Sequence, residues 1–265
     1  MDDKIDLKDV TFIIPIRIDS VERLDNLQVV TDYILSLCNT NIFVVEGHNR
    51  NTGIVKKILH PSIHYFFNED DMDIFHRTRY INAMARLVDT SYVAVWDADV
   101  IIPSIQFDLS IKCLRNGISD MVIPYNGKFL ETGFSLRNQY FSTKDMSVLE
   151  KNNDSMKLLF GSSATGGGFF IDKKVYQMAG MENENFFGWG MEDGERVKRL
   201  KILGFNISRI NCGPMYHFSH PRGINSSYRS TEAQINATKE YLRICDMSKE
   251  ELKIEIDKWF HMKET

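Results

Sequence analysis

Short apolar runs alternate with helical patterns along the first hundred residues of this sequence. Val10 to Ile16 is nearly continuous in apolar residues and rich in β-branched ones, as is typical of a strand covered on both faces. Similar runs at Ile42 to Val45, Ile63 to Phe67 and Tyr92 to Trp96 are separated by segments of helical spacing. The alternation predicts right-handed βαβ units, and therefore an α/β fold with a mainly parallel central sheet flanked by helices.

Helix signals support this interpretation. Asp19 and Glu22 are spaced as a capping box ahead of an apolar stripe, and a second helix is predicted from Phe75 to Val88. A third helix is predicted from Ser248 to Lys263, with Ser248 and Glu251 as its capping box. Its apolar face contains Leu252, Ile256, Trp259 and Phe260. We expect this face to pack on the domain, the alternative being a partner or a membrane surface.

The middle of the chain carries weaker patterns. Between Pro103 and Phe160 only a short strand at Met121 to Ile123 is predicted. We expect residues 1–225 to form one catalytic domain, and residues 226–265 to form a helical extension packed on it.

Composition and charge exclude several classes of protein. Of the 265 residues, 43% are apolar and 26% are charged, which predicts a soluble globular protein. A net charge of -4 argues against a nucleic-acid binder. The four cysteines are far apart and form no CxxC pair, so neither a zinc knuckle nor a disulfide framework is indicated. The acidic N-terminus and the lack of a long apolar stretch predict a cytoplasmic protein, with peripheral contact to the inner membrane surface left open. The oligomeric state is not indicated.

Two carboxylates follow the predicted strand at Tyr92 to Trp96. Asp97 and Asp99 leave the sheet at the edge where ligands bind in α/β folds. Hard oxygen donors at this place suit Mn²⁺ or Mg²⁺, which can bridge a carboxylate to diphosphate oxygens. Asp also favours turns, so an ordinary turn explains the motif equally well.

A second acidic pair, Glu192 and Asp193, follows the Gly188-Trp189-Gly190 segment and begins a helix that is predicted to stop at Gly204. Carboxylates are favoured at a helix N-terminus without any catalytic duty. A Trp between two glycines would nevertheless make a poor core strand, whereas it could form a mobile sugar-stacking flap beside a general base.

A third group contains His217 and His220, three residues apart in a segment without clear periodicity. Each His alone is more often structural than a ligand. Combined with an Asp and diphosphate oxygens, they form a reasonable Mn²⁺ ligand set.

Taken together, these groups resemble the β-1,4-galactosyltransferase family and its bacterial relatives, which have the GT-A fold. The similar stretches are Ile14 to Arg17, Phe75 to Arg79 with Asn82, Asp97 to Pro103, Gly166 to Gly168, and Phe187 to Asp193 with His220.

The resemblance implies specific roles. Asp99 and His220 would hold the metal, His217 would be a further ligand, and Asp193 would be the catalytic base. The residues implied to line the nucleotide are Arg17, Phe75, Arg77 and Asp97. Those implied to face the donor sugar or the acceptor are Trp189, in a loop that closes over the donor, with Phe187, Gly167, Gly168 and Glu192. Salt bridges and core packing explain Arg17 and Phe75 equally well, and the glycine run also fits an ordinary turn.

The sequence departs from the family pattern at three places. His217 stands where the animal enzymes use a thioether ligand, and Met191 and Gly194 replace a glycine and a third acid of the family's Trp-Gly-Gly-Glu-Asp-Asp-Asp run. These changes leave the metal preference and the identity of donor and acceptor open.

The sequence therefore predicts an inverting, metal-dependent glycosyltransferase. Its expected donor is a UDP-sugar, with galactose or N-acetylgalactosamine favoured, and its expected acceptor is a glycan or glycolipid in polysaccharide biosynthesis. The alternatives are a non-catalytic sugar-binding module of the same fold and a nucleotidyltransferase.

Overall fold

Two β-sheets and the helices around them make up the protein, a computed structural model of which describes residues 4–261. The strands are β1 (Ile5–Ile16), β2 (Cys38–His48), β3 (His64–Glu69), β4 (Tyr92–Trp96), β5 (Val100–Ile101), β6 (Met121–Ile123), β7 (Phe129–Glu131), β8 (Lys157–Leu159), β9 (Gly168–Asp172), β10 (Ile207–Arg209) and β11 (Met215–His217). The helices are α1 (Val21–Leu37), α2 (Ile54–Ile58), α3 (Arg77–Leu87), α4 (Ser104–Arg115), α5 (Gly133–Thr143), α6 (Met146–Glu150), α7 (Lys173–Met178), α8 (Glu192–Leu203), α9 (Thr231–Cys245) and α10 (Lys249–His261).

The central sheet has the strand order β10-β6-β9-β4-β1-β2-β3. All of its neighbouring strands are parallel except at β9, which is antiparallel to β4 and β6. The predicted α/β class is confirmed, and the sheet is mixed through this one reversed strand. Because β9 runs backwards, its first residue, Gly168, pairs with Trp96 at the end of β4. The reversal brings the glycine run to the edge where Asp97 and Asp99 leave the sheet.

The middle of the sheet is buried on both faces, as the apolar run in β1 predicts. Phe12, Trp96 and Phe170 lie on neighbouring strands and pack edge to face at 5.6–5.7 Å between ring centroids. Phe107 of α4 stacks on Trp96 at 5.4 Å, so this aromatic cluster holds α4 on the sheet.

A second, smaller sheet has the order β5-β11-β7-β8. Its strand β11 runs antiparallel to β5, with His217 opposite Val100. Two of its four strands, β7 and β8, come from residues 104–160, where the sequence predicts only Met121 to Ile123. These strands are three residues long, too short for an alternating pattern to stand out.

Several element boundaries differ from the sequence prediction. Helix α1 is capped by Ser20, whose side chain accepts a hydrogen bond from the Arg23 backbone N–H at 3.3 Å, and the predicted Asp19 cap is wrong. Asp19 instead pairs with the Arg23 side chain at 2.9 Å. Strand β2 is longer at both ends than the predicted Ile42 to Val45.

The C-terminal helix α10 begins with the predicted capping box. The Ser248 N–H donates to Glu251 Oε2 at 2.8 Å, and the Glu251 N–H donates to Ser248 Oγ at 3.3 Å. Leu252, Ile256 and Trp259 are buried, as expected for a face packed on the protein. The Phe260 side chain and the predicted end at Lys263 lie outside the described residues. The domain boundary between residues 225 and 226 stays a prediction.

Within residues 4–261, every helix is too short or too polar to cross a membrane.

We predict that Trp259→Ala lowers the free energy of unfolding by about 3–5 kcal/mol, because removing a buried indole loses apolar contact and leaves a cavity. Trp259 is 6% exposed and packs against Gly180 and the Arg199 guanidinium. Urea denaturation followed by circular dichroism measures the change.

Ile254→Ala in the same helix is the matched control, since Ile254 is 60% exposed and its loss should change stability by no more than about 0.5 kcal/mol. Equal losses for the two variants would contradict the packing of α10 described here.

Candidate active site

A cleft of about 540 Å³ opens at the carboxyl ends of β1 and β4, where ligands bind in α/β folds. The predicted site residues in its wall are Arg17, Phe75, Arg77, Asp97, Asp99, Gly167, Trp189, Glu192, Asp193, His217 and His220. In the described part of the chain, Phe187 and Gly168 lie outside that wall. The Phe187 ring is half exposed and packs edge-on against His76, and Gly168 lies in β9 beneath the Trp96 indole.

Asp99, His217 and His220 are buried together in this cleft, with one ligand atom from each within 4.8 Å of the others. His220 Nε2 lies 3.2 Å from Asp99 Oδ2, and His217 Nε2 lies 3.7 Å from Asp99 Oδ1. One carboxylate and two imidazoles form a donor set that suits Mn²⁺.

Backbone pairing brings these three residues together. Strand β5 follows Asp99 directly and pairs with β11, which ends at His217. The Phe218 N–H then donates to the Asp99 carbonyl at 2.7 Å, and the Trp96 indole N–H donates to the Val100 carbonyl at 3.0 Å. These bonds fix the turn that carries Asp99, so the cluster does not depend on flexible side chains alone.

The hydrogen-bond state of the two imidazoles fits a metal site. His220 Nδ1 lies 2.8 Å from the Pro221 carbonyl, which can only accept, so Nδ1 carries the proton and Nε2 presents its lone pair towards Asp99. His217 Nδ1 is buried and has no hydrogen-bond partner among residues 4–261. Burial is the main cause that lowers the pKa of His217, which favours the neutral, ligating imidazole.

Asp99 is ionised in this environment. Burial opposes its charge, but the neighbouring His217, His220 and Arg23 side chains outweigh burial and hold the pKa of Asp99 below its usual value. Arg23 Nη1 lies 3.7 Å from Asp99 Oδ2, and Arg23 Nη2 donates to Ser226 Oγ at 3.0 Å. Arg23 thus provides a fixed cation beside the cluster, where anionic oxygens of a ligand could bind.

The first acid of the pair has a different partner. Asp97 Oδ1 accepts a hydrogen bond from Arg77 Nη2 at 2.6 Å, and the Asp97 N–H donates to the Gly167 carbonyl at 2.8 Å. Burial raises the pKa of Asp97, Arg77 opposes this, and the carboxylates of Asp99 and Asp193 add to the increase. The Arg77–Asp97 ion pair therefore forms a polar part of the cleft wall and does not belong to the cluster of Asp99, His217 and His220.

Glycines shape the loop in front of α8. Gly190 has φ +110°, and a Cβ at this position would collide with the Tyr228 ring. Met191 caps the helix in the left-handed conformation at φ 67°. The Trp189 indole packs between Phe160 at 6.2 Å and Tyr228 at 5.2 Å. The loop therefore presents an aromatic surface to the cleft, of the kind that stacks on sugar rings.

Asp193 lies between a buried cation and the glycine run. Its Oδ1 accepts a hydrogen bond from Arg196 Nη2 at 2.7 Å, and its side chain is 30% exposed. A Cβ added at Gly166 would collide with Asp193 Oδ2, so this carboxylate reaches its place only because residue 166 has no side chain. The Gly166 carbonyl accepts a hydrogen bond from the Tyr125 hydroxyl at 2.9 Å, which fixes the backbone there.

Glu192 differs sharply from Asp193. Its Oε2 is buried and makes no hydrogen bond to any described residue. Burial is the main cause that raises the pKa of Glu192 to about 7, and the neighbouring Asp193 carboxylate adds to it. Near neutral pH, Glu192 therefore exchanges between a carboxylate and a hydrogen-bond donor.

The Arg17 guanidinium is already engaged. It donates to the Gly47 carbonyl at 2.8 Å, the Met72 carbonyl at 2.6 Å and Asp70 Oδ2 at 2.7 Å. Phe75 lies 5.4 Å from this guanidinium and stacks on Tyr80 at 4.9 Å. Arg17 can line a ligand through one face of its guanidinium plane, while its polar atoms hold the β1–β3 edge together.

Among the residues of the cleft wall that are not predicted by the sequence are Arg23, Phe160 and Tyr228. Arg23 has the pattern of an ordinary charge in the first turn of a helix, and the other two lie in segments without periodicity. Their distance along the chain from the recognisable motifs hides their role.

We predict that Glu192→Gln stabilises the protein above pH 7. Folding raises the pKa of this acid from 4.5 to about 7, so the wild type loses stability as pH rises through that window and does not regain it above. The neutral amide should raise the free energy of unfolding at pH 8 by an amount on the order of 1 kcal/mol, with little difference near pH 4.5.

Thermal unfolding at the two pH values checks this prediction. Glu232→Gln, at an exposed position in the first turn of α9, is the control and should have little effect at either pH. A Glu192→Gln protein less stable than wild type at pH 8 would contradict the burial of an unpaired carboxylate at this position.

Comparison with known proteins agrees with this geometry. Residues 150–221, about a quarter of the chain, match the model of a family described as the N-terminal domain of galactosyltransferase. The match includes Gly166, Glu192, Asp193, His217 and His220. A sequence search of curated proteins gave no significant match.

Solved structures share the fold at low sequence identity. Glucosyl-3-phosphoglycerate synthase from Mycobacterium tuberculosis, in complex with Mn²⁺, UDP and phosphoglyceric acid, superposes with a TM-score of 0.54 at 13% identity, covering 90% of this chain and 78% of that one. A mannosyltransferase from Pyrobaculum calidifontis, in complex with GDP-mannose and Mn²⁺, gives 0.56 at 14% identity, covering 88% of this chain. This chain spans 64% of the mannosyltransferase's length. The predicted GT-A fold is therefore confirmed.

Proposed function

We propose that this protein is a metal-dependent glycosyltransferase that transfers a sugar from a UDP-sugar to an acceptor hydroxyl with inversion at the anomeric carbon. The observation that carries the proposal is the convergence of Asp99, His217 and His220 in the same cleft as Asp193. A divalent-metal ligand set and a candidate base in one pocket are what transfer from a nucleoside diphosphate requires.

The metal would be held by Asp99, His217 and His220. Mn²⁺ fits the two nitrogen donors better than Mg²⁺, which prefers an all-oxygen shell. When bound, the ion supplies positive charge that stabilises the departing diphosphate. Arg23, 3.7 Å from Asp99, adds a second positive charge that can bind the same diphosphate oxygens.

Asp193 is the proposed general base. It accepts the proton of the acceptor hydroxyl while that oxygen forms a bond to the anomeric carbon. The bond between this carbon and the diphosphate oxygen breaks on the opposite side of the sugar, and UDP leaves with the bonding electrons. The net result is a glycoside of inverted configuration, UDP, and a proton on Asp193 that passes to solvent.

The remaining residues of the cleft bind and orient the substrates in this proposal. Phe75, Arg17 and the Arg77–Asp97 pair line the nucleotide, and the loop carrying Trp189 covers the donor sugar. Glu192 and Gly167 face the sugar or the acceptor. Phe187, also proposed for this side, packs on His76 outside the cleft wall as described and would need to move to take part.

Galactose or N-acetylgalactosamine is the proposed donor sugar, on the basis of the motif resemblance and the match over residues 150–221. The structural neighbours act on other donors, as their glucosyl and mannosyl names state. A panel of UDP-galactose, UDP-N-acetylgalactosamine, UDP-glucose and GDP-mannose, each with Mn²⁺, separates these possibilities by the release of nucleoside diphosphate. Binding without release would favour the non-catalytic module, and consumption of a nucleoside triphosphate in a parallel incubation would favour a nucleotidyltransferase.

We predict that Asp193→Asn lowers the turnover of the best donor by about 10²- to 10⁴-fold, because the amide cannot accept the proton. Donor affinity should change little, since the role of Asp193 belongs to the transition state. UDP release with water as acceptor and calorimetric donor binding measure the two effects without a known acceptor.

Lys198→Met, on the exposed side of the same helix, is the control and should keep wild-type turnover. Near-normal turnover of Asp193→Asn would remove this residue from the role of base.

We predict that Asp99→Ala and His220→Ala abolish the Mn²⁺-dependent part of UDP binding, since each removes a ligand and the bound ion links protein to diphosphate. Calorimetric titration of UDP with Mn²⁺ and with chelator measures this part directly.

His60→Ala is the matched control, because His60 is exposed and its side chain hydrogen-bonds only to the neighbouring Ser62 among the described residues. Unchanged metal-dependent affinity in Asp99→Ala would show that the ion binds elsewhere.

A further inference from the structure

Arg196 is buried in α8 and joins two carboxylates. Its Nε and Nη2 donate to Glu182 Oε1 and Oε2 at 2.7 and 2.9 Å, and Nη2 also donates to Asp193 Oδ1 at 2.7 Å. The side chains of Arg196 and Glu182 are each 1% exposed, whereas that of Asp193 is 30% exposed and reaches the cleft. We propose that Arg196 is a positioning residue, which fixes the orientation of the Asp193 carboxylate as the base. The proposal rests on the function proposed above.

Glu182, which binds the Arg196 guanidinium, is itself held in place by hydrogen bonds. The Tyr176 hydroxyl donates to Glu182 Oε1 at 2.8 Å. Asn82 binds the Glu182 backbone twice, accepting from its N–H and donating to its carbonyl, both at 2.8 Å. Burial opposes the charge of Glu182, but Arg196 outweighs it and lowers the pKa of this acid. Glu182 is therefore a fixed anion that determines where the guanidinium lies.

The guanidinium is also restrained by packing. Its central carbon lies 4.1 Å from the centre of the Phe169 ring in β9, which confines it on one face. An arginine held by a bidentate carboxylate and an aromatic ring has little freedom to follow Asp193 if that side chain moves. Asp193 must therefore adapt to Arg196, rather than the reverse.

This arrangement makes the two oxygens of Asp193 different. Oδ1 is occupied by the hydrogen bond from Arg196, and Oδ2 lies against the backbone of Gly166, where a side chain would collide with it. The carboxylate is confined between the Arg196 guanidinium and the backbone of Gly166. Oδ2 is then the oxygen that receives the proton, and its orientation is set before any substrate binds.

The neighbouring ion pair in the same helix shows what a purely structural arginine looks like here. Arg199 Nε donates to Glu195 Oε1 at 2.7 Å, and both side chains are 1% exposed. Arg199 also donates to the backbone carbonyls of Ala179 and Met181. Among the described residues, it makes no hydrogen bond to Asp193. It therefore provides a control for the loss of a buried ion pair from α8.

The test uses Arg196→Lys, Arg196→Met, Glu182→Gln and the controls Arg199→Lys and Arg199→Met. Release of UDP from the best UDP-sugar with Mn²⁺ is measured from pH 4.5 to 9, together with UDP affinity and thermal unfolding. Wild-type turnover is expected to fall at low pH as the base becomes protonated.

Arg196→Met should lower kcat about 10-fold or more, with UDP affinity changed less than about twofold. The acid limb of its pH–rate profile, where turnover falls as pH is lowered, should move to higher pH by about 1 unit or more. The reason is that a carboxylate without a nearby cation holds its proton more tightly. Arg196→Lys keeps the positive charge but not the bidentate hydrogen bonds of the guanidinium. Its acid limb should therefore stay near that of the wild type, while kcat falls.

Glu182→Gln should move the acid limb in the opposite direction, to lower pH, because Asp193 is then the one remaining carboxylate among the described residues that accepts a hydrogen bond from Arg196. Opposite shifts from two members of one ion-pair network are not expected of a purely structural role. The Arg199 variants should lose thermal stability and keep the wild-type pH profile.

Acid limbs that move equally in the Arg196→Met and Arg199→Met proteins, or not at all, would overturn the positioning role. If Arg196→Met does not fold, Arg196→Lys and Glu182→Gln decide the question by the same criteria: unchanged kcat in the first and an unmoved limb in the second would overturn the role. Absence of UDP release by the wild type, with every donor tested, would instead refute the proposed function and this inference with it. Turnover by the wild type separates the two failures.

Discussion

Pairing of β5 with β11 is the constraint on which the site depends. Strand β5 has two residues, yet it ties the turn after β4 to a segment more than one hundred positions later in the chain. The β5–β11 pairing and the hydrogen bond from the Phe218 N–H to the Asp99 carbonyl fix Asp99 next to His217 before side chains are considered. The central sheet contributes to the site as well, because the reversed strand β9 brings the glycine run to the carboxyl end of β4. The fold therefore determines the positions of the candidate metal ligands through main-chain geometry.

The aspartates of the cleft around this junction are each paired with an arginine. Asp99, Asp97 and Asp193 each lie beside an arginine, at 3.7, 2.6 and 2.7 Å respectively. Glu192 Oε2 has no hydrogen-bond partner in the described residues, and its pKa is raised accordingly. Carboxylates buried so close together repel one another, and the arginines offset that cost. This mixture of carboxylates and arginines suits the proposed ligands, a divalent cation and a diphosphate, which have opposite charges.

The sequence predicts what is local and misses what is long-range. The apolar runs of β1 and β4, the Asp-x-Asp turn and the capping box of α10 can be identified because their patterns lie within a few residues. The reversed strand β9 and the elements of residues 104–160 cannot, because short strands are defined by partners distant in the chain. Most predicted site residues line one cleft, although their roles stay predictions. Arg196 escapes notice for the same reason, since nothing nearby in sequence indicates that Glu182 lies beneath it.

The central claim is that one ion binds to Asp99, His217 and His220 in the cleft that contains Asp193. Anomalous X-ray scattering at the manganese edge, from crystals grown with Mn²⁺ and UDP, tests it most directly. The account predicts a single strong peak in contact with Asp99 Oδ and both imidazole Nε2 atoms, with the diphosphate on its open side. A peak held by other residues, or UDP bound in the cleft with no peak at this cluster, would contradict it.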